Sequence, residues 1–310
     1  MAKTQMQIDV LCVGHASYDL IFLVPRHPLE DEKCSASGLI EAGGGPAANA
    51  SVTVTRLGGT SAFAGYLGRD HFGDLHLEEL RSEGVATDFI VRGPHPTPIS
   101  AILVKPDGKR TVINHRAATP HLEPFQLDFS RVCPGAILFD GHEPLLSVPL
   151  AETARSRKIM TVLDAGSVHR GTTELAPLCD CLIGSEAFAR NFCAGESLPG
   201  PGDDFDAIEA VRQLADLAPV AVITLGVKGL VWSTGGEWGS LSSPTVDAVD
   251  TTGAGDIFHG AFAFRIAMGD DLLSALRYAN AAAALGCTRL GARPGIPTRD
   301  EVNAFRKGLP

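Results

Sequence analysis

The residues best suited to chemistry lie at 250–264, where a glycine-rich turn leads into an apolar segment with one acid at the junction, Asp256. The first amides of a helix lack intrahelical partners and carry the positive end of the helix dipole, so such a turn binds anions. We therefore expect the amides of Gly253, Ala254 and Gly255 to form an anion hole. The carboxylate of Asp256 would accept the proton of an attacking hydroxyl, which is the combination that phosphoryl transfer needs.

Asp256 also has a purely structural explanation. A carboxylate in the first turn of a helix is stabilising by about 0.3–1 kcal/mol through the dipole alone. However, a second glycine-rich turn lies far upstream, Gly43-Gly44-Gly45-Pro46, and leads to Asn49. Two such turns are what a phosphotransferase with two substrates requires, and this favours the catalytic interpretation.

The two turns resemble the paired signatures of the ribokinase-like (PfkB) carbohydrate kinase family. The resemblance runs from about Val10 to Pro297 and includes residues 65–73, which follow the first turn. Within the family, the chain is similar to ketohexokinases at residues 10–14 and 18–21, and to bacterial sulfofructose kinases at 253–261 and 287–289. The resemblance implies an α/β fold with a mostly parallel central sheet, flanking helices and a small β-sheet lid.

The hydrophobic pattern by itself also predicts this fold class, because strand-like and helix-like segments alternate along the chain. We expect one ribokinase-like domain over residues 1–310, with a lid formed by about 17–42 and 95–118 and an exposed loop at 198–204. Predicted strands of the main sheet are 8–13, 61–66, 136–140, 160–164, 181–183 and 220–224. Predicted helices include 46–57, 71–83, 205–216 and 271–285.

Composition excludes several classes of protein. The net charge of −10 argues against a nucleic-acid partner, which needs a basic face. No apolar run reaches membrane length, and the amino terminus has no apolar signal region. Seven cysteines without a C-x-x-C pair favour reduced thiols. We therefore expect a cytoplasmic protein, and the resemblance adds the expectation of a homodimer that associates through the lid.

The nucleotide site is predicted at a strand end that turns on two glycines, Thr224-Leu225-Gly226-Val227-Lys228-Gly229. Open α/β sheets bind ligands at such carboxyl ends, although a plain hairpin turn explains the pattern equally well. No G-x-x-x-x-G-K-[ST] motif occurs, so a Walker loop is excluded. The resemblance implies ATP as the cofactor, held by Thr224, Gly226, Gly229, Asn280 and Ser185.

The acceptor site is predicted from polar groups near the first glycine turn. A sugar presents several hydroxyls, and Asp19 can accept from a pair of them while Asn49 both donates and accepts. Asn49 is unfavourable inside a predicted helix, which indicates a role beyond propensity. Gly44 and Gly45 would complete the site. Weaker candidates for the far end of the sugar, or for an anionic group on it, are Arg110, Asn114 and His142.

The metal sites are where the chain departs from the family. Many members carry an Asn-x-x-Glu that helps to organise Mg²⁺ and phosphate, and the matching residues here begin with Ser185-Glu186 and lack the later glutamate. Mg²⁺ is held largely by phosphate and water, so we still expect Mg²⁺, with Glu186 as a substitute ligand. The resemblance also implies activation by a monovalent cation, K⁺, near Asp250 and Thr252.

Together these features predict an ATP-dependent sugar kinase that phosphorylates a primary hydroxyl of a small, ketose-like carbohydrate. Two alternatives stay open at this point. One is a nucleoside kinase of the same fold, and the other is an inactive regulator that binds nucleotide or sugar. The acid at position 256 argues against the regulator.

We predict that Asp256→Asn lowers turnover by about 10²–10⁴, the usual contribution of a positioned general base. The amide is nearly isosteric but cannot accept the proton, so folding and ATP binding should stay near wild type. Turnover is measured by ADP release and ATP binding by calorimetry. A variant that kept more than about a tenth of the wild-type turnover would show that Asp256 is not the base.

Overall fold

The computed structural model describes residues 5–116, 119–194 and 205–309. The loop expected at 198–204 and the last two residues of the expected lid, 117 and 118, lie outside the described residues. Within them the strands are β1 Met6–Val13, β2 Ser17–Leu23, β3 Gly38–Gly44, β4 Ser61–Gly68, β5 Ala86–Gly93, β6 Ile99–Val104, β7 Arg110–His115, β8 Val132–Phe139, β9 Met160–Ala165, β10 Cys181–Ser185, β11 Val220–Thr224, β12 Leu230–Thr234 and β13 Glu237–Leu241. The helices are α1 Pro46–Arg56, α2 His71–Ser82, α3 Pro144–Arg157, α4 Arg170–Leu175, α5 Glu186–Cys193, α6 Ala207–Ala215, α7 Ala254–Ala267, α8 Leu272–Gly286, α9 Ala292–Gly295 and α10 Arg299–Lys307.

The larger sheet confirms the predicted fold class. In the described part of the chain it has nine strands in the order β13-β12-β11-β10-β9-β8-β1-β4-β5. The seven strands from β11 to β5 in this order run parallel to one another. At one edge β12 pairs antiparallel with β11, and β13 pairs antiparallel with β12. Because parallel strands all end at the same edge, the loops after β1, β8, β9 and β10 meet there, next to the start of α7.

Alternation along the buried strands divides the core into two layers. On β1, Val10 and Cys12 pack with the layer that contains α1, α7 and α8. Leu11 and Val13 pack on the other face, where α3, α5 and α6 lie. Both faces of the sheet are therefore covered by helices, as a parallel sheet requires. Every helix among the described residues is too short or too polar to span a bilayer.

A second sheet of four strands, β3-β2-β6-β7, stands apart from the first. The pairing of β2 with β6 is parallel, and the two outer pairings are antiparallel. We call this sheet the lid. The strand β3 was not predicted as an element, because its second half is Ala42-Gly43-Gly44, which has little strand propensity. The sequence interpretation of 43–45 as one turn is thus corrected: Gly43 and Gly44 end a strand, and Gly45 alone of the three has a positive φ, 94°.

The helices α1 and α7 approach each other closely at Gly260. A Cβ atom added there would lie 2.6 Å from the carbonyl oxygen of Ala50 and 2.9 Å from the Cβ atom of Thr53. This contact is next to Asn49 on α1 and one helical turn after Asp256 on α7. The glycine therefore sets the distance across which these two side chains meet.

We predict that Gly260→Ala lowers the free energy of unfolding by about 1–3 kcal/mol, the usual cost of overpacking. Helix propensity alone predicts the opposite, a gain of about 1 kcal/mol. Gly255→Ala is the matched control on the same helix, because a Cβ atom there would meet its nearest neighbours, atoms of the His259 ring, at 4.0 Å. Urea denaturation measures both. Equal stability of the two variants would contradict the close approach.

Candidate active site

The two glycines of the turn at residues 250–256, which we call the catalytic turn after its predicted role, differ in conformation. Gly253 caps α7 with φ 75°, a left-handed conformation, and a Cβ atom there would lie 2.7 Å from that of Ala292. Gly255 lies inside the first turn of the helix without a positive φ. The amide of Ala254 donates to the carbonyl of Thr251 over 3.3 Å. The left-handed backbone conformation that favours glycine is therefore required at Gly253 and not at Gly255.

The carboxylate of Asp256 is held by a hydrogen bond from α1. Its Oδ2 accepts from Nδ2 of Asn49 over 2.7 Å. Burial raises the pKa of Asp256 above its ordinary value, and Asp19 and Asp140 act in the same direction. The hydrogen bond from Asn49 and the nearby His259 oppose this rise. A raised pKa makes this carboxylate a stronger base than an exposed aspartate, and the hydrogen bond from Asn49 fixes its direction.

The orientation of the Asn49 amide is fixed from behind by Arg293, a residue that sequence reasoning missed. The Nε of Arg293 donates to Oδ1 of Asn49 over 3.0 Å. Because a guanidinium only donates, the amide oxygen must face it, and the amide NH₂ must face Asp256. Arg293 is 1% exposed and lies 3.5 Å from Oε1 of Glu79. In sequence it looks like any surface arginine, so no local signal could have identified it.

The first glycine turn makes room for Asp19. This acid is buried in β2, and its Oδ1 accepts from the hydroxyl of Ser17 over 2.8 Å. A Cβ atom on Gly44 would overlap the Asp19 carboxylate, and one on Gly45 would lie 2.6 Å from the carbonyl oxygen of His15. Burial raises the pKa of Asp19, while hydrogen bonds to Ser17 and Ser100 lower it. Gly44 and Gly45 are therefore needed for space and backbone geometry around this acid.

The lid register lines up further polar groups with Asp19. Asp19 lies opposite Ser100 on β6, which lies opposite Asn114 on β7. Residues directly opposite one another point to the same face of a sheet, so these three form one polar row. Arg110 shares that face, four residues before Asn114, and its guanidinium donates to Oγ1 of Thr251 over 2.6 Å. The lid thus reaches the catalytic turn through Arg110.

His142 does not belong to this polar row on the lid. It follows β8, and its ring stacks on that of His169 with centroids 4.7 Å apart. Its amide donates to Oδ1 of Asp140 over 2.9 Å. The other carboxylate oxygen of Asp140 accepts from the amides of His15 and Ala47, at 2.7 and 3.2 Å. Asp140 therefore ties the ends of β1 and β8 to the start of α1, a role that an acid at a strand end could have suggested.

A cavity of about 370 Å³ lies beside the catalytic turn. It brings together the end of β11, the turn after it, and α8. Asn280 lines it and donates to the carbonyl of Ser242 over 2.8 Å. Its lining includes the predicted nucleotide residues Thr224, Gly226, Gly229 and Asn280, together with Ala254 and Gly255 of the catalytic turn.

Ser185 and Glu186 have other partners. The hydroxyl of Ser185 caps α5 by accepting from the amide of Phe188 over 3.0 Å, and it donates to the carbonyl of Gly166 over 2.9 Å. Glu186 forms an ion pair with Arg190, one turn later on the same helix, at 2.7 Å. Both side chains therefore have structural roles, and Ser185 is absent from the lining of the nucleotide cavity.

Asp250 braces the catalytic turn against the segment that follows α8. Its Oδ1 accepts from the amide and hydroxyl of Thr252, at 2.9 and 2.6 Å, and its Oδ2 accepts from the amide of Gly291 at 2.9 Å. Within the described residues, no group of three His, Cys, Asp or Glu side chains is arranged to hold a metal ion.

The comparisons with known proteins agree with this geometry. The model of the pfkB family carbohydrate kinases matches residues 7–299. The chain belongs to this family. It is 28% identical to a ribokinase of Bacillus subtilis, over 95% of this chain and 98% of that protein, and 32% identical to a fructokinase of Solanum tuberosum, over 88% and 89%. The ribokinase of Arabidopsis thaliana, solved as a complex with ribose and ATP, superposes with a TM-score of 0.83 at 28% identity and covers 98% of this chain and 100% of that one.

Membership of the family identifies the class of reaction. The chain is an ATP-dependent phosphotransferase of the carbohydrate kinase class. The ribokinase-like fold is confirmed as well, with a mostly parallel central sheet and a separate small sheet. The roles of individual residues in this PfkB kinase rest on the geometry described above and stay predictions.

We predict that Asn49→Asp makes activity strongly dependent on pH. The new carboxylate keeps the contact with Arg293 but faces Asp256 across a distance of 2.7 Å in the wild type. A like charge this close raises the pKa of a buried carboxyl by about 1–3 units. The base form of Asp256 is lost as pH falls through its pKa, so activity should drop at pH 7 and recover as pH rises.

The measurement is kcat/KM for the sugar between pH 6 and 9.5 at saturating ATP. Asn49→Ala is the control, since it removes the hydrogen bond without adding a charge. A uniform loss of activity in Asn49→Asp, parallel to the wild-type profile, would mean that residue 49 does not control the charge of Asp256.

Proposed function

We propose that this kinase transfers the γ-phosphoryl group of ATP to a primary hydroxyl of a small, ketose-like sugar, with Asp256 as the general base. The observation that carries the proposal is the position of this carboxylate, at the start of α7 between the nucleotide cavity and the polar row of the lid. ATP in the cavity would direct its γ-phosphate at the first amides of α7, where the helix dipole favours negative charge. The acceptor hydroxyl would lie on the Asp256 side of that phosphate.

The sugar would be oriented by the lid. Asp19 is buried, and hydrogen bonds with Ser17 and Ser100 hold its carboxylate in one orientation. The lone pairs that stay free for a sugar hydroxyl therefore point in a fixed direction. Carboxylates bind pairs of sugar hydroxyls in this way. Asn114 and Arg110 continue the same face. Because Arg110 is bonded to Thr251, it would contribute its positive charge near the transferred phosphate when the lid covers the sugar, where excluding water prevents hydrolysis of ATP.

A small polyol fits the lid better than a nucleoside does. Recognition of a flat base favours a free aromatic ring. The ring of Tyr18 is buried and stacks on Phe72 with centroids 5.2 Å apart. Phe22 lies at odd spacing from Asp19 on the same strand, so it points to the opposite face of the lid. These two aromatic residues of the lid are therefore not positioned to hold a base next to Asp19.

Mg²⁺ would bridge the phosphates of ATP and offset their charge. The carboxylate of Glu186 is bonded to Arg190, which favours a metal held by phosphate oxygens and water over one held by Glu186. A monovalent cation near Asp250 and Thr252 would take backbone carbonyl oxygens, since three donors already occupy the carboxylate of Asp250. Both ions stay proposals.

Dimerisation through the lid is also supported by its outer face. Leu39 on β3 and Ile113 on β7 are 52% and 59% exposed. The register places both on the face opposite to Asp19. An exposed apolar face of this kind is typical of a protein interface. We propose that a second copy of this chain covers this face. We also propose that the protein is located in the cytoplasm.

We predict measurable phosphorylation of at least one free ketose or related sugar, followed by ADP release in a panel that also contains adenosine and inosine. Asp19→Asn should raise the KM for that sugar by about tenfold or more while leaving the KM for ATP near wild type, because a charge-assisted hydrogen bond contributes about 1.5–3 kcal/mol. A nucleoside used at least a hundredfold more efficiently than every sugar would overturn the choice of acceptor. It would leave phosphoryl transfer at Asp256 in place.

A further inference from the structure

A buried acid and a buried histidine lie directly beneath the catalytic turn, and the chemistry described above does not use them. His259 is on α7, three residues after Asp256, and is 4% exposed. Asp164 is near the end of β9 and is 6% exposed. The Nδ1 atom of His259 lies 3.2 Å from Oδ2 of Asp164. The pair therefore sits within one helical turn of the proposed base.

The surroundings of the His259 ring indicate where its protons are. Its Nδ1 lies 2.6 Å from the carbonyl oxygen of Gly255, and its Nε2 lies 3.3 Å from that of Ile183. Carbonyl oxygens only accept hydrogen bonds, so each contact is favourable when the facing nitrogen carries a proton. A neutral imidazole has one N–H and an imidazolium has two. The carboxylate of Asp164 is the counter-charge that a second ring proton would need.

The charged groups around Asp256 also favour an Asp164–His259 pair without net charge. The charged groups that face it are Asp19 from the lid, Asp140 after β8, and the Asp164–His259 pair, with Arg293 behind the amide of Asn49. Burial raises the pKa of Asp164 well above its ordinary value, and Asp256 and Asp140 raise it further. Burial lowers the pKa of His259.

The raised pKa of Asp164 and the lowered pKa of His259 each disfavour an isolated buried charge. A pair with zero net charge satisfies them together, whereas an ionised Asp164 beside a neutral His259 leaves one uncompensated carboxylate next to Asp256.

We propose that the Asp164–His259 pair carries one proton beyond those of an ionised aspartate and a neutral histidine, so that Asp164 adds no net charge to the surroundings of Asp256. The pair would then act as a positioning element. It supports the Gly255 carbonyl inside the catalytic turn, and it keeps a second carboxylate from competing with Asp256 for the substrate proton. The consequence for activity rests on the proposed role of Asp256 as the base.

The test is a double-mutant cycle on the pH profile of kcat/KM for the sugar at saturating ATP. Asp164→Asn should leave the acidic limb within about 0.3 pH unit of wild type, because a neutral amide beside a neutral His259 keeps the pair without net charge. His259→Gln keeps a donor for the Gly255 carbonyl but removes the proton carrier. If the shared proton is on the ring, this variant should move the acidic limb up by about one pH unit or more, since an ionised Asp164 then faces Asp256. If the proton is on Asp164, the acidic limb should stay in place. The double variant should return to the wild-type position.

One kinetic outcome would overturn the proposal. If Asp164→Asn moved the acidic limb down by about one pH unit, Asp164 would be ionised without compensation in the wild type.

A second measurement does not depend on turnover or on the stability of the His259 variant. Nitrogen-15 and carbon-13 spectra of the wild-type protein at pH 7.5, labelled at histidine and aspartate and assigned with Asp164→Asn, should show either two protonated nitrogens on His259 or a protonated carboxyl on Asp164. A neutral His259 beside an ionised Asp164 would overturn the proposal. His76 is the internal reference, because its Nε2 lies 3.3 Å from the guanidinium of Arg293 and burial lowers its pKa. This readout holds even if Asp256 proves not to be the base.

Discussion

The hydrogen bond between Asn49 and Asp256 is the contact on which the arrangement of the site depends. It joins α1 to α7, the two helices that begin at the glycine-rich turns, and it forms because Gly260 lets their backbones approach. Arg293 then fixes the direction of the amide. The side chain of Asn49, a residue expected to bind sugar, is in this way bonded to Asp256, so the proposed sugar site and the proposed base would be coupled through one side chain.

The second constraint is the concentration of acids at the carboxyl edge of the sheet. Asp19, Asp140, Asp164 and Asp256 approach one another there, although each belongs to a different segment of the chain. Like charges in a buried site raise one another's pKa, and the fold answers each with a particular group. Asp19 accepts from the hydroxyl of Ser17, and Asp140 accepts from three backbone amides. Asp256 accepts from the side-chain amide of Asn49, and Asp164 lies against His259.

The lid connects the two halves of the site. Its inner face holds Asp19 in line with Ser100 and Asn114, and Arg110 on the same face contacts Thr251 in the catalytic turn. A movement of the lid would therefore displace the polar row proposed to bind sugar and change the contact with the turn before α7 at the same time. Its outer face is apolar at Leu39 and Ile113, so the polar row and the proposed dimer contact lie on opposite faces of the same sheet.

The sequence by itself determined the fold class, most strands of the main sheet and the position of the glycine-rich turn before α7, because these depend on local periodicity and on glycine spacing. It also named four residues that line the cavity beside this turn, Thr224, Gly226, Gly229 and Asn280, whereas Ser185 is absent from that lining. Only the tertiary structure decided that Asn49 faces Asp256, that Gly253 and not Gly255 needs a left-handed backbone, and that Arg293 and His259 are buried behind the site. The contacts of Asn49 with Asp256 and with Arg293 each join residues more than 200 positions apart, and His259 meets Asp164 across about 100 positions. No local sequence pattern indicates which polar side chains a fold will bury together.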